Sequence, residues 1–233
     1  MQTASYLERR EELETYFDRT AAEAWSRLTS DAPVSRIRAT VRAGRDEMRG
    51  VLLSYLPQDL TGLRLLDAGC GTGALSLEAA RRGAEVVATD LSSSLVALAE
   101  ERARPHEAAQ NIDFRVGDML DPALGTFDHV VAMDSLIHYK AGDLVDMLTK
   151  LSQRSRSGVV FTFAPRTALL SAMHFAGGFF PRSDRAPAIE PIGAKRLRQL
   201  VAATPSLAQW RPGRTRRIVS GFYTSQAMEL VPA

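Results

Sequence analysis

The stretch Leu65-Leu66-Asp67-Ala68-Gly69-Cys70-Gly71-Thr72-Gly73 decides the fold of this chain. Two leucines and an aspartate lead into three glycines at alternate positions, and apolar residues at helical spacing continue to Gly83. Glycine has no Cβ, so it adopts positive φ and lets another molecule approach the backbone closely. The stretch therefore predicts a strand, a tight turn and a helix, with a nucleotide cofactor over the turn.

The glycine pattern alone leaves the cofactor open. Gly69, Gly71 and Ala74 also fit the looser fingerprint of dinucleotide-binding proteins. The residues that follow narrow the choice, because Asp90 ends the next apolar run. A carboxylate at the end of the second strand accepts hydrogen bonds from the hydroxyls of a ribose.

A third strand-like run ends at Asp118, where an acid suits the exocyclic amine of adenine. Met119 or Leu91 is expected against the adenine ring. With a glycine turn after strand one and an acid after strands two and three, residues 60–163 resemble the class I S-adenosylmethionine (SAM) methyltransferases. This resemblance implies SAM as the methyl donor, released as S-adenosylhomocysteine (SAH).

Strand and helix patterns alternate through the middle of the chain. We predict strands near 64–68, 85–90, 112–116, 127–132 and 157–163, and helices near 74–82, 93–104 and 142–154. This order indicates an α/β protein with a parallel sheet and helices on both faces. Together with the resemblance it predicts a Rossmann-like fold with a seven-stranded, mostly parallel sheet and an N-terminal helical lid.

The two ends of the chain frame this core. Residues 5–28 have amphipathic helical spacing, with a capping box over Ser5-Tyr6-Leu7-Glu8, and a second helix is predicted over 34–56. We therefore predict an N-terminal helical arm or lid at 1–57 and a SAM-binding core at 58–233, with a substrate-covering insertion at about 164–193. Near the C-terminus, a helix at 194–203 is followed by a basic turn at 211–217 and a strand at 218–224.

Composition narrows the class of protein. The 233 residues carry a formal net charge of +2, which is too balanced to indicate nucleic-acid binding by itself. Cys70 is the single cysteine, so an internal disulfide is excluded and a reducing compartment is favoured. No apolar run reaches the length of a membrane span, and no basic region followed by an apolar one begins the chain. We expect a soluble or peripheral protein.

His138 follows the fourth strand, on the edge of the sheet where ligands of such folds bind. This placement makes it a candidate functional residue. No pair of histidines has metal-ligand spacing, so we predict no metal bound by protein side chains.

Three segments together resemble one family, the magnesium-protoporphyrin IX methyltransferases of chlorophyll and bacteriochlorophyll biosynthesis. They are Tyr16-Phe17-Asp18-Arg19-Thr20 followed by Trp25, the turn from Asp67 to Ser76, and Asp134-Ser135-Leu136-Ile137-His138-Tyr139. Residues 163–165 and 180–186 agree with them, so the resemblance covers nearly the whole chain. It implies esterification of one propionate of Mg-protoporphyrin IX by SAM, with Tyr16 and His138 as the catalytic residues.

We assign the remaining candidates to the two ligands. The residues predicted to bind the cofactor are Arg42, Asp67, Ala68, Gly69, Cys70, Gly71, Asp90, Leu91, Asp118, Met119 and Asp134. Arg42 is included because a guanidinium can bind the SAM carboxylate in a bidentate fork. The residues predicted to receive the macrocycle and its second propionate are Trp25, Phe175, Phe179, Arg182 and Arg185, with Phe180 and Arg214 as further candidates.

The resemblance also implies partners and a location. The porphyrin-binding subunit of magnesium chelatase is expected to deliver the substrate. We expect a cytoplasmic protein that lies peripherally on the photosynthetic, intracytoplasmic membrane, and the apolar run 169–180 is compatible with this.

Other functions fit the same fold. The arginines at 211–217 would hold phosphates in a nucleic-acid methyltransferase, for example one acting on RNA. The cofactor motifs alone also fit methyl transfer to a protein or to another small molecule. A non-catalytic protein that only binds SAM or porphyrin would be told apart by its lack of turnover. We expect no nucleic-acid partner, since the net charge is balanced and no amino-methylating motif follows strand four.

Overall fold

A computed structural model describes residues 2–20, 29, 36–166 and 188–233. Its helices are α1 (Ala4–Thr15), α2 (Arg36–Ser54), α3 (Ala74–Arg81), α4 (Ser93–Ala103), α5 (Ala141–Gln153) and α6 (Ala194–Ala203). Its strands are β1 (Arg64–Ala68), β2 (Glu85–Asp90), β3 (Ile112–Val116), β4 (Phe127–Ala132), β5 (Ser155–Phe163), β6 (Trp210–Ser220) and β7 (Tyr223–Pro232).

The seven strands form one sheet in the order β3-β2-β1-β4-β5-β7-β6. Strands β1 to β5 are parallel, and β7 runs antiparallel to both β5 and β6. The order reverses between β1 and β4, and ligands of open α/β sheets bind at such a switch point. The predicted Rossmann-like fold with a mostly parallel seven-stranded sheet is confirmed.

Each face of the sheet has its own apolar layer. On one face, β-strand side chains pack with α1, α5 and α6, and Phe127 and Phe161 are fully buried there. On the other face, Met48 and Leu52 of α2 pack with α3 and are also fully buried. Because α2 contributes to the core, it belongs to the layer that supports the sheet. The proposed division of the chain at residue 57 stays a prediction.

The N-terminal helix starts earlier than the sequence indicates. Thr3 caps α1, and its hydroxyl oxygen accepts the N–H of Tyr6 at 3.1 Å. The predicted capping box is therefore wrong, and Ser5 instead donates its hydroxyl to Asp143 on α5 at 2.8 Å. After Thr15 the chain makes a π-helical turn over residues 16–20. The predicted continuation over 21–28 lies outside the described residues.

The C-terminal end differs most from the prediction. The basic stretch 211–217 lies inside the edge strand β6, and the predicted strand 218–224 is wrong because the turn between β6 and β7 falls within it. Arg214 pairs with Glu229 of β7 at 2.7 Å, and Arg216 lies 3.5 Å from Glu47 of α2. These two glutamates offset the positive charge of the arginine-rich segment, which therefore fits at the edge of the sheet. No helix in the described ranges is long and apolar enough to cross a membrane.

Candidate active site

The turn after β1 has the backbone conformation that its glycines permit. Gly69 and Gly71 have φ of 87° and 53°. A Cβ at Gly69 would overlap the side chain of Ser135, so this glycine is required for packing against the end of β4. A Cβ at Gly71 would meet nothing within 4 Å, so the space beside this residue is open to a ligand.

This turn borders a cavity of about 310 Å³ at the carboxyl ends of the parallel strands. The predicted site residues that line it are Arg42, Asp67, Gly69, Cys70, Gly71, Asp90, Leu91, Asp118, Met119, Asp134 and His138. Ala68 is fully buried beneath the cavity, where its carbonyl accepts the hydroxyl of Ser135 at 2.7 Å. Burial raises the pKa of the Cys70 thiol, which indicates a packing residue more than a reactive one.

Two aspartates stabilise the glycine turn and the start of the helix that follows it. Asp67 is 1% exposed, and it accepts the hydroxyl of Ser76 at 2.6 Å. Burial raises the pKa of Asp67 to about 7. Asp90 accepts the backbone N–H groups of Gly71 and Ser92 at 2.9 and 3.0 Å, and burial raises its pKa as well. The Asp90 carboxylate therefore has a fixed orientation at the cavity wall.

The N-terminal helix covers the third acid of the site. Tyr6 donates its hydroxyl to Asp118 at 2.6 Å, and Gln2 and Arg10 add contacts at 2.8 and 3.3 Å. The Tyr6 ring also stacks on Tyr139 with ring centroids 5.2 Å apart. Tyr6 is not predicted from the sequence, because a single tyrosine in an amphipathic helix carries no local signal of a partner more than a hundred residues away.

A second contact joins the N-terminal segment to the cofactor side of the sheet. Asp18 accepts the backbone N–H of Ser94 and the hydroxyl of Ser92, each at 3.0 Å, and the hydroxyl of Ser93 at 3.2 Å. These bonds hold the pKa of the Asp18 carboxyl below its usual value. Asp18 thereby caps the N-terminus of α4 from a distant part of the chain.

His138 ends a short 3₁₀ turn over residues 136–138 and is 8% exposed. Its Nδ1 lies 3.2 Å from the carbonyl oxygen of Ala188, which can only accept, so Nδ1 carries the proton. Tyr16 does not line the cavity. Phe17 contacts both rings, with centroids 5.2 Å from Tyr16 and 6.0 Å from His138. Burial raises the pKa of Tyr16, so its hydroxyl stays protonated.

One face of α2 presents charged side chains to the cavity. Arg42, Arg45, Asp46 and Arg49 all line it. Arg45 pairs with Asp134 at 2.6 Å, and Arg49 pairs with Asp46 at 3.0 Å. Of these residues only Arg42 is predicted from the sequence. Arg45 and Arg49 are not, because every arginine of the helix has the same local pattern and nothing in it marks the ones that line the cavity.

Seven residues are predicted to receive the macrocycle. Trp25, Phe175, Phe179, Phe180, Arg182 and Arg185 lie outside the described residues. Arg214, the other candidate, contacts Tyr55 and Glu229 and does not line the cavity. Among the described side chains, no group of three or more His, Cys, Asp or Glu is placed to hold a metal ion.

Comparison with known proteins adds the family. The model for the magnesium-protoporphyrin IX methyltransferase C-terminus matches residues 132–232, and a general methyltransferase domain model matches residues 65–158. The magnesium-protoporphyrin O-methyltransferase of Rhodobacter capsulatus is 50% identical over 230 residues, which are 98% of this chain and 99% of that protein. The chain belongs to the magnesium-protoporphyrin methyltransferase family.

More distant members agree with this placement. The chloroplastic magnesium protoporphyrin IX methyltransferase of Arabidopsis thaliana is 30% identical over 96% of this chain and 71% of its own length. The crystal structure of the magnesium protoporphyrin IX methyltransferase of Synechocystis PCC 6803 with bound SAH is 27% identical, with a TM-score of 0.80 over 96% of this chain and 100% of that one. The resemblance found in the sequence is thereby confirmed, and the protein is a methyltransferase.

Proposed function

We propose that this protein transfers the methyl group of SAM to one propionate carboxylate of Mg-protoporphyrin IX, giving the monomethyl ester and SAH in chlorophyll or bacteriochlorophyll biosynthesis. The observation that carries the proposal is the 50% identity to the Rhodobacter capsulatus enzyme along almost the full length of both chains. The cavity adds chemical support, because the glycine turn, Asp90, Asp118 and His138 all line it.

The cavity residues fit SAM. The space beside Gly71 is open, and Asp90 is oriented by backbone N–H groups with acceptor capacity left for ribose hydroxyls. Met119 would pack on the adenine, and Asp118 would accept the adenine amine in place of one of its present donors, such as Gln2 or Arg10. Arg42 would bind the carboxylate of the methionine part. When bound, SAM supplies an electrophilic methyl group on a positively charged sulfur.

The reaction asks little of general bases. A propionic acid resembles a glutamate side chain, with a pKa of about 4.3, so its oxygen is already ionised at neutral pH. One carboxylate oxygen forms the new C–O bond while the bond from methyl carbon to sulfur breaks and the sulfur keeps the electron pair. The protein must align the reacting atoms and remove water from the carboxylate, and alignment alone gives large accelerations.

His138 is placed to interact with the reacting carboxyl. Nδ1–H donates to the carbonyl of Ala188, which fixes the orientation of the His138 ring at the wall of the cavity. A neutral His138 would accept a proton from a propionic acid, whereas a protonated one would donate to the carboxylate. The pH dependence of turnover separates these two roles, because protonation of His138 abolishes the first and creates the second.

We also propose that Tyr16 closes over the reacting groups from the N-terminal segment. Its edge-to-face contact with Phe17, which in turn touches His138, supports this position. The π-helical turn that carries Tyr16 is held to α4 through Asp18. Tyr16 therefore lies in a segment that is fixed to the cofactor side of the sheet.

We further propose that the enzyme is cytoplasmic and rests on the photosynthetic membrane, where the porphyrin-binding subunit of magnesium chelatase hands over the substrate. Support for the membrane contact comes from two exposed apolar side chains, Ile37 on α2 and Phe222 in the turn between β6 and β7, which are 56% and 55% exposed. The turn that carries Phe222 is fastened to α2, where Ser220 donates to the carbonyl of Thr40 at 2.8 Å. Arg36 and Arg38, which flank Ile37 and are exposed, complement an anionic lipid surface.

Sedimentation with vesicles tests the membrane contact. We expect binding to vesicles that contain anionic lipid and loss of it in Phe222→Ser and Ile37→Ser. Val116→Ser is a matched control, since Val116 is 57% exposed on β3 at the far edge of the sheet. Equal sedimentation of all variants would refute this site of contact.

The reaction itself is tested by incubating the purified protein with methyl-labelled SAM and three acceptors in parallel. These are Mg-protoporphyrin IX, metal-free protoporphyrin and a structured RNA. We expect label in Mg-protoporphyrin IX. Label in RNA alone, or SAM binding without transfer to any acceptor, would overturn the proposed substrate.

A further inference from the structure

Asp134 has an unusual backbone. It is the one residue other than glycine with positive φ among those described, at 54°. A side chain makes the left-handed conformation costly, although aspartate tolerates it better than most residues. Such a conformation persists when the surrounding structure over-determines it, and it occurs often at functional sites. Asp134 lies directly after β4, in the wall of the cavity.

The carboxylate of Asp134 is fully occupied by protein donors. Arg45 donates at 2.6 Å and Tyr223 at 3.1 Å to one oxygen, while Thr162 and Ser225 each donate at 3.2 Å to the other. An ionised carboxylate has about four acceptor positions. With four donors in place, a ligand could bind this carboxylate only by displacing one of them.

These donors come from three separate elements. Arg45 lies on α2, Thr162 on β5, and Tyr223 and Ser225 on β7. The backbone N–H of Asp134 also donates to the Thr162 hydroxyl at 2.7 Å, so side chain and backbone are held together. We refer to these four donors as the Asp134 clamp.

Tyr223 reaches Asp134 because α2 leaves room for its ring. A Cβ at Gly44 would lie 2.6 Å from Cδ1 of Tyr223. The ring is thus pressed against the helix backbone one residue before Arg45. Burial and the charge of Asp134 raise the pKa of Tyr223, so its hydroxyl remains a donor.

The turn that the clamp fixes leads to two functional groups. The next residue, Ser135, donates to the carbonyl of Ala68 at 2.7 Å and packs on Gly69 of the cofactor turn. Three residues later His138 ends the 3₁₀ turn that faces the cavity. A change of backbone direction at Asp134 would therefore move both the support of the cofactor turn and His138.

We propose that Asp134 is a positioning residue whose carboxylate binds the protein and not the cofactor, and that Tyr223 of the C-terminal hairpin positions His138 through it. Tyr223 does not line the cavity. Its hydroxyl nevertheless holds the turn that presents the catalytic histidine. The assignment concerns how this site is held and rests on the methyl transfer proposed above.

A double-mutant cycle tests this assignment. Tyr223→Phe removes one donor of the clamp and keeps the ring that packs on Gly44. We expect turnover to fall about tenfold, as for loss of a hydrogen bond to a charged group. Asp134→Gly keeps the left-handed backbone and removes the clamp. In that background Tyr223→Phe is expected to cause no further loss, because Tyr223 acts through Asp134.

A second readout separates positioning from general stability. If Tyr223 acts on His138, its substitution has little effect in the His138→Ala background, and it changes the pH dependence of turnover in the wild-type background. Tyr55→Phe is the matched control, since Tyr55 contacts Arg214 outside the cavity, and it should leave turnover unchanged. If Asp134→Gly does not fold, Ser225→Ala takes its place in the cycle, because it removes another hydroxyl donor of the Asp134 carboxylate. The losses of turnover from Tyr223→Phe and Ser225→Ala are then expected not to be additive.

Three results would overturn the proposal. The first is wild-type turnover in Tyr223→Phe. The second is independent, additive losses from Tyr223→Phe and the change at Asp134. The third is a SAM dissociation constant that rises strongly in Asp134→Gly but not at all in Tyr223→Phe, which would identify Asp134 as a direct ligand of the cofactor. Failure of the wild-type protein to methylate any porphyrin would refute the proposed function and is measured separately.

Discussion

Asp67 is expected to make the stability of the protein depend on pH in a direction opposite to that of most carboxylates. Its carboxyl is almost completely buried below the cofactor turn, and burial raises its pKa from 3.8 to about 7. Between these two values the folded protein holds a proton at Asp67 that the unfolded chain has lost. The free energy of unfolding therefore falls as the pH rises through this window, by about 1.4 kcal/mol per pH unit.

Asp67→Asn isolates this effect. Asparagine keeps an oxygen that accepts the Ser76 hydroxyl, which Asp67 accepts at 2.6 Å, and it cannot ionise. The stability difference between variant and wild type should move in favour of the variant from pH 4 to pH 7, by a total on the order of 4 kcal/mol. Above pH 7 the difference should level off.

Urea unfolding of both proteins at pH 5, 6, 7 and 8 measures this difference. Asp59→Asn is a suitable control, because Asp59 is exposed and hydrogen bonds from Thr61 lower its pKa. Its stability contribution is lost only as the pH falls through the acid range, so its difference from wild type should be flat over this series. A pH-independent difference for Asp67→Asn would refute the reasoning.

Three further predictions concern the site. His138→Ala and Tyr16→Phe should lower turnover with little change in the SAM dissociation constant, and unchanged turnover in both would remove them from the mechanism. Asp18→Ala should lower turnover about fivefold, because an N-cap contact is worth about 1 kcal/mol and its loss loosens the segment that carries Tyr16. Gly69→Ala should destabilise the protein by more than about 2 kcal/mol in urea unfolding, through positive φ and overlap with Ser135. Gly50→Ala on α2, where a Cβ meets nothing, should instead be neutral or stabilising, and equal effects at the two glycines would contradict the packing argument.

The sequence predicts the parallel half of the sheet closely. Strands β1 to β4 have the predicted bounds. Strands β1, β2 and β4 are short and largely buried runs, as expected inside a parallel sheet. Strand β3 is the edge strand and has no buried residue, and its bounds follow from Asn111 before it and Gly117 after it. The cofactor turn is also predicted from the sequence, since its glycines are needed for its backbone conformation. Asp90 and Asp118 follow from their position at the ends of such strands.

The C-terminal strands cannot be predicted from the sequence in the same way. An arginine-rich edge strand lacks the alternation of apolar and polar residues, and its charges are matched by Glu229 and Glu47, which lie on other elements. The sequence places the turn too early for this reason.

The contacts that complete the site are missed for a related reason. Tyr6 meets Asp118, and Tyr223 meets Asp134, across separations of 112 and 89 residues. Local pattern carries no record of such pairs. Resemblance to the family predicts Tyr16 and His138 as catalytic residues, and the position of His138 after the fourth strand independently makes it a candidate.

We expect the methyl group of SAM to end on a propionate oxygen of Mg-protoporphyrin IX. Mass spectrometry of the product made with SAM that carries a deuterated methyl group tests it most directly. We predict one deuterated methyl group per porphyrin, released by alkaline hydrolysis as expected of an ester. A label that resists alkali would place the methyl group on carbon or nitrogen, and an unlabelled porphyrin would contradict the substrate altogether.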